Sequence, residues 1–319
     1  MKIPAPLAKS AKLLLTLLLL FLVFRSVNPS KITLDLKSFR AGPLIVLLIA
    51  GWAGQLLCSE RWRLFAASMQ MPGSYRSFVQ IYFAGMFFNI GLPSLIGGDA
   101  VKAYILSRKT SQRFQTGLAS VLQDRAVGLV TLLAYGSLAI LLSPLSWRGM
   151  PLWILYLLSW AGIGAALFLV FRGHRFFKFL LPPGQVLEPG AILRITAYSF
   201  IYSGLVLLIF QQVTAAAGHR VGIVSFSALF PLITLGTMLP VTLGGLGIRE
   251  WLYVEALSLV GVPRDQALVI SLATSALYLL VNLAGILFLP AIPRELRPHA
   301  FSFQANRTSS PGESNSSAE

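Results

Sequence analysis

Long apolar runs broken by short basic loops dominate this chain. Runs at residues 43–59, 116–142, 151–171, 191–212 and 266–289 approach or exceed the ~20 residues a helix needs to cross a bilayer, and a shorter run at residues 13–24, also read as a span, precedes them. That shorter run follows Lys2, Lys9 and Lys12 and lacks a small-residue cleavage site, so it reads as a retained span or signal anchor. Four further apolar pieces are too short to cross alone: residues 78–92 with 97–108, and residues 224–239 with 246–260. Each pair joins at a Pro- and Gly-containing tip, where helices break and backbone groups are freed. Freed backbone must be buried in protein or line a wet cavity. The pattern predicts an all-α polytopic membrane protein, with about six full spans and two re-entrant or broken helical hairpins. This transmembrane domain takes residues 1–290; residues 291–319, rich in Ser, Asn, Pro and Glu, form a cytoplasmic and largely disordered tail.

The two tips echo each other. Residues 89–104 read NIGLPSLIGGDAVKAY and residues 239–250 read LPVTLGGLGIRE, with Lys102 and Arg249 at the same offset from Gly-Gly. With a cytoplasmic N-terminus and a first hairpin that enters and leaves on that side, Arg108, Lys109, Arg113, Arg172, Arg175, Lys178 and Arg194 all fall inside. That placement suits the positive-inside bias better than a full crossing, although the basic loop at residues 25–40 runs against it. The second hairpin then enters from outside, which makes the pair an inverted repeat of the kind that builds a midplane site.

Composition narrows the function classes. The chain is 55% hydrophobic and 12% charged, against about 25% charged in soluble domains. Lys+Arg 26 against Asp+Glu 11 gives a net charge of +15, which suits positive-inside loops and anionic lipid headgroups. The bases lie between apolar spans rather than on one soluble face, which argues against nucleic acid. A single cysteine, Cys58, cannot form an intrachain disulfide, and His174, His219 and His299 are scattered, so neither a metal nor another cofactor is expected. No nucleotide-binding P-loop or nucleophile elbow is present.

The candidate chemistry is a polar cradle for a phosphate. A half-helix that starts at Gly97-Gly98 points its free N–H groups and positive dipole end into a cavity. Lys102 lies on the same face as Asp99, so Lys102 is expected to hold phosphate and Asp99 an amine, a hydroxyl or a proton; the alternative is a helix cap paired with Lys102. Gly244, Gly245, Arg249 and Glu250 repeat the arrangement, with an internal ion pair as the alternative. Asp124 and Arg125 either pair with each other or add charge to the same cavity. Asn89, Gln80 and Tyr104 are polar lining candidates, and Asn282 is expected to bond between helices. Arg61, Trp62 and Arg63 read as interfacial anchors.

Four motifs, RWR (61–63), NxxLPSxxGGDxxK (89–102), DRxxGL (124–129) and PxxxGGLGxRE (240–250), resemble the lysylphosphatidylglycerol synthase transmembrane region, a flippase-like membrane family also fused to aminoacyl-phospholipid synthases. The resemblance extends to about residue 290. It implies translocation of lipid headgroups across a bacterial inner membrane, with Asn89, Gly97, Gly98, Asp99, Lys102, Asp124, Arg125, Gly244, Gly245, Arg249 and Glu250 around the headgroup and the tails left in lipid. Many members carry an arginine in the last span; this chain has none there. The soluble transferase domain of the fused members is absent, so the chain is not expected to make lysyl-lipid. Expected partners are membrane lipids with anionic or phosphate-bearing headgroups, with a lipid-modifying enzyme or a second copy also open. The rival readings are a membrane glycosyl- or phosphotransferase on polyprenyl phosphate and an accessory subunit of a lipid-modifying enzyme. The hairpin topology has a direct check: a thiol placed by Ser111→Cys, with Cys58 replaced, should react only from the cytoplasmic side, and external labelling would exclude it.

Overall fold

A computed structural model describes Leu18 and residues 41–91, 97–142, 145–147, 149–172, 180, 185–238 and 247–292. The expected first span (apart from helical Leu18), most of both hairpin tips, including Gly244 and Gly245, and the tail lie outside the described residues. Helix α1 spans Ala41–Ser68, α2 Tyr75–Gly91, α3 Gly97–Lys109 and α4 Phe114–Leu142. After a two-residue hairpin, Ser146–Trp147 paired with Met150–Pro151, come α5 Trp153–Phe171, α6 Pro189–Ala216, α7 Ile223–Met238, α8 Ile248–Ser258 and α9 Arg264–Leu283. Helix α9 tightens into a 3-10 segment at Ala284–Ala291.

Five helices among the described residues are long and apolar enough to cross a membrane: Leu44–Ser68, Phe114–Leu142, Trp153–Val170, Pro189–Ala216 and Arg264–Pro290. They match the expected spans after the first. The protein is an all-α, multi-pass membrane protein. The four short pieces form two helical pairs, α2 with α3 and α7 with α8, each packed on its partner.

Where the helices stop is set by backbone geometry as well as by composition. Helix α1 runs through Ser68, nine residues beyond its expected end at residue 59. It closes at left-handed Gln70 (φ 60°), with the Met71 amide donating to the Ala66 carbonyl at 2.9 Å. Helix α3 closes in the same way at Ser111 (φ 55°), through Gln112 N–H to the Ser107 carbonyl. The extra length of α1 carries residues 60–63 into the bundle, so the interfacial reading of Arg61 and Trp62 fails. Trp62 is 1% exposed; its indole donates to Ser120 Oγ at 3.0 Å and its ring meets Phe78 edge-on at 4.9 Å. Glu60 and Arg63 pair with each other at 2.6 Å.

Close approach holds the first hairpin together. A Cβ at Gly98 of α3 would overlap the Gly85 carbonyl of α2, and one at Gly85 would overlap the Lys102 side chain. Small residues permit this because association in lipid relies on packing rather than on the hydrophobic effect. By contrast, Gly162 and Gly164 of α5 have nothing within 4 Å of a Cβ among the described residues. Helix α5 is the most outward-facing span, with 6% of its apolar window buried. Because backbone blocks the space at Gly98, Gly98→Ala should destabilise the protein by about 2 kcal/mol, while Gly162→Ala should be near neutral. Thermal unfolding of the two variants in detergent compares them directly.

Candidate functional site

Adjacent residues on a helix point about 100° apart, so neighbouring charges reach different partners. Asp124 and Arg125 of α4 do this. Asp124 turns to α1 and accepts from Arg61 Nε at 2.6 Å; the two side chains are 2% and 4% exposed. Arg125 turns to α3 and clasps Asp99 through two hydrogen bonds, Nε to Oδ2 and Nη2 to Oδ1, both 3.0 Å. The two residues therefore do not neutralise each other, as one expectation had it; each ties α4 to a different helix.

Asp99 is the hub of this network. It lies in the first turn of α3, where a carboxylate suits the helix dipole. Lys102, one turn on, reaches it at 2.7 Å. The Lys102 ammonium also sits 4.2 Å from the centre of the Tyr82 ring, and the residue is 1% exposed. Arg61 is held further by Ser199 Oγ at 3.2 Å and by the face of Tyr202. Asn89 accepts the Gly98 amide at 3.0 Å and so caps α3 from the neighbouring helix. Its role as a lining residue gives way to that cap, and the Gly98 N–H expected to face a phosphate is already taken.

The network borders a cavity of about 270 Å³. Its charged end is formed by Arg61, Asp124 and Arg125, with Gln55, Tyr82 and Tyr202 beside them. Its body runs between α1, α4, α6, α7 and α9 over apolar side chains such as Leu129, Leu132, Ile209 and Phe230. Asp99, Lys102, Asn89, Gln80 and Tyr104 do not line it. Arg125 does, and its side chain is 41% exposed while Asp99 and Lys102 are 8% and 2% exposed. Its Nη1 makes no hydrogen bond among the described residues. The cluster of Arg61, Lys102 and Arg125 against Asp99 and Asp124 leaves one positive charge in excess beside the cavity.

The second tip has its own internal logic. Gly247 adopts φ 81°, a conformation suited to glycine, and α8 starts at the next residue. Glu250 accepts the Gly247 amide at 2.7 Å through Oε2 and receives Arg249 on Oε1 at 3.0 Å. Both carboxylate oxygens are engaged and the residue is 4% exposed, whereas the Arg249 side chain is 25% exposed. Neither residue lines the cavity. On the last span, Asn282 donates to Tyr278 within its own helix, not between helices, and its Oδ1 has no partner among the described residues.

Sequence reasoning missed Arg61, Tyr82 and Tyr202 as part of the site. For Arg61 the available signal was a base three positions from an apolar cysteine and next to a tryptophan, just past the expected end of the span.

A family model, Lysylphosphatidylglycerol synthase TM region, matches residues 10–285, and the chain belongs to that family. No curated protein matches it. Membership places the chain among membrane proteins of lipid modification or translocation.

The Arg61–Asp124 pair is sealed from solvent, so removing one partner strands the other. Asp124→Asn should destabilise the protein by about 3–5 kcal/mol, and the double change Arg61→Met with Asp124→Leu should recover most of that loss. Thermal melts of the single and double variants in one detergent provide the measurement.

Proposed function

We propose that the protein translocates the phosphate-bearing headgroup of an anionic lipid across the bacterial inner membrane. The observation that carries this reading is the half-exposed Arg125 guanidinium. It faces an amphiphilic cavity from a cluster with one positive charge in excess. A phosphodiester carries one negative charge and offers the planar guanidinium two oxygens, so it neutralises the excess and meets the Nη1 that makes no hydrogen bond among the described residues. Asp99 and Lys102 act as positioning residues: they hold Arg125 in place from α3 and do not reach the ligand themselves. Arg61 and Asp124 fix the same wall from α1. Arg249, partly exposed at the start of α8, serves as a second phosphate contact as the headgroup passes the opposite hairpin, and Glu250 orients it. Gly98 keeps the first tip close-packed on α2, and Gly97, Gly244 and Gly245 leave both tips free of side chains in this reading. Both termini are cytoplasmic in this reading, and the ligand is a membrane lipid rather than a soluble anion.

Membership in the family supports the lipid class, and the apolar surroundings of Arg125 support an amphiphile. The test is a headgroup-translocation assay in proteoliposomes, run with several headgroups and with and without a proton gradient. A lost charge-assisted hydrogen bond of about 1.5–3 kcal/mol corresponds to a fall of roughly tenfold or more. Arg125→Ala and Arg249→Ala should each show that fall; because each also strands a carboxylate, they are read beside Arg125→Lys and Arg249→Lys, which keep a charge opposite Asp99 and Glu250, with melting temperatures to show that the protein stays folded. Undiminished translocation in both would sink the proposal, as would release of a new lipid product by the purified protein in detergent, which marks an enzyme.

A further inference from the structure

The cavity is more apolar than a headgroup needs. Arg125, Leu129 and Leu132 follow one another at four and three residues on α4, so a single helix face leads from the charged end into the apolar body over about 10 Å. Ile209 and Phe210 of α6, Phe230 of α7 and Leu277 of α9 close the other sides. Phe210 and Phe230 stack with centroids 4.5 Å apart. The side-chain hydroxyls of Thr234 and Ser203 are already engaged with protein groups. Thr234 donates to the Phe230 carbonyl at 3.0 Å, and Ser203 shares its hydrogen bond with Thr131 at 3.0 Å. The charged lining residues, Arg61, Asp124 and Arg125, come from α1 and α4, and none comes from α6, α7 or α9. A sugar or other ligand with many polar groups would recover few of its water hydrogen bonds against this wall. An apolar cavity of this kind favours an apolar occupant over water.

We infer that this body encloses a hydrocarbon chain of the same lipid whose phosphate meets Arg125, so that the protein takes in a chain together with the headgroup. The inference rests on the phosphate reading and deepens it. It departs from a scheme in which only the headgroup enters and both tails stay in the bilayer. The ligand is an anionic phospholipid with one chain laid along the Arg125–Leu132 face. Chain burial then sets affinity through apolar contact, while the guanidinium sets orientation.

The test uses the full-length protein in nanodiscs and two photoactivatable phosphatidylglycerols, one with a diazirine at the end of an acyl chain and one with a diazirine on the headgroup. After irradiation, adducts are mapped by mass spectrometry. The chain-end probe should label Phe210, Phe230 or Met238, and the headgroup probe should label residues around Arg125. Filling the body by Leu132→Trp, or from the facing helix by Val206→Trp, should lower the chain-end adducts roughly fivefold or more if overpacking there carries its usual cost. Melting temperatures show which of these two variants remains folded and can be read. Headgroup adducts at Arg125 with chain-end adducts confined to outward-facing Leu193, Ile201 and Leu280 would overturn the enclosed chain and leave the phosphate reading standing. Absence of adducts in the cavity from both probes would overturn both.

Discussion

In a bilayer an unpaired charge is expensive, and the buried charges near the cavity are placed so that each has a partner on the same or a neighbouring helix. Asp99 is central to this. It is met by Lys102 from its own helix and by Arg125 from α4, while Asp124, next to Arg125, reaches Arg61 on α1. Three helices are thereby fixed to one another by two carboxylates and three cations. Breaking either ion pair leaves an uncompensated charge in a low-dielectric interior, so the geometry of α1, α3 and α4 is held with little freedom. The close contact of Gly85 and Gly98 brings α3 near enough to α2 for Lys102 to lie over Tyr82, and Asn89 seals the start of α3.

The same network decides what remains for a ligand. Carboxylates that are fully engaged cannot also bind a cationic headgroup, and a lysine sealed under an aromatic ring cannot reach a phosphate. What the pairing leaves over is a guanidinium edge at the mouth of an apolar cavity and one positive charge in excess. Function in this protein is thus proposed at the residue that the structural pairing satisfies only partly. The second hairpin repeats the principle: Glu250 spends both oxygens on Gly247 and Arg249, and only the arginine keeps exposure.

The sequence by itself determined the fold class, the five described spans and the presence of two interrupted helical pairs. These follow from run length and from Pro and Gly positions, which act locally and need no partner. Its motifs also gave the family and the pairing of Asp99 with Lys102, because a helix places residues three apart on one face whatever surrounds it. Tertiary structure alone decided the rest. Which way Asp124 and Arg125 turn depends on neighbours 63 and 26 residues away in the chain. Whether Arg61 and Trp62 lie at an interface or in the core depends on where α1 ends, a boundary set by the turn at Gln70 rather than by hydropathy. The location of the cavity, along α4, depends on how five helices pack, and side-chain packing over long sequence separations leaves no periodic trace in the chain.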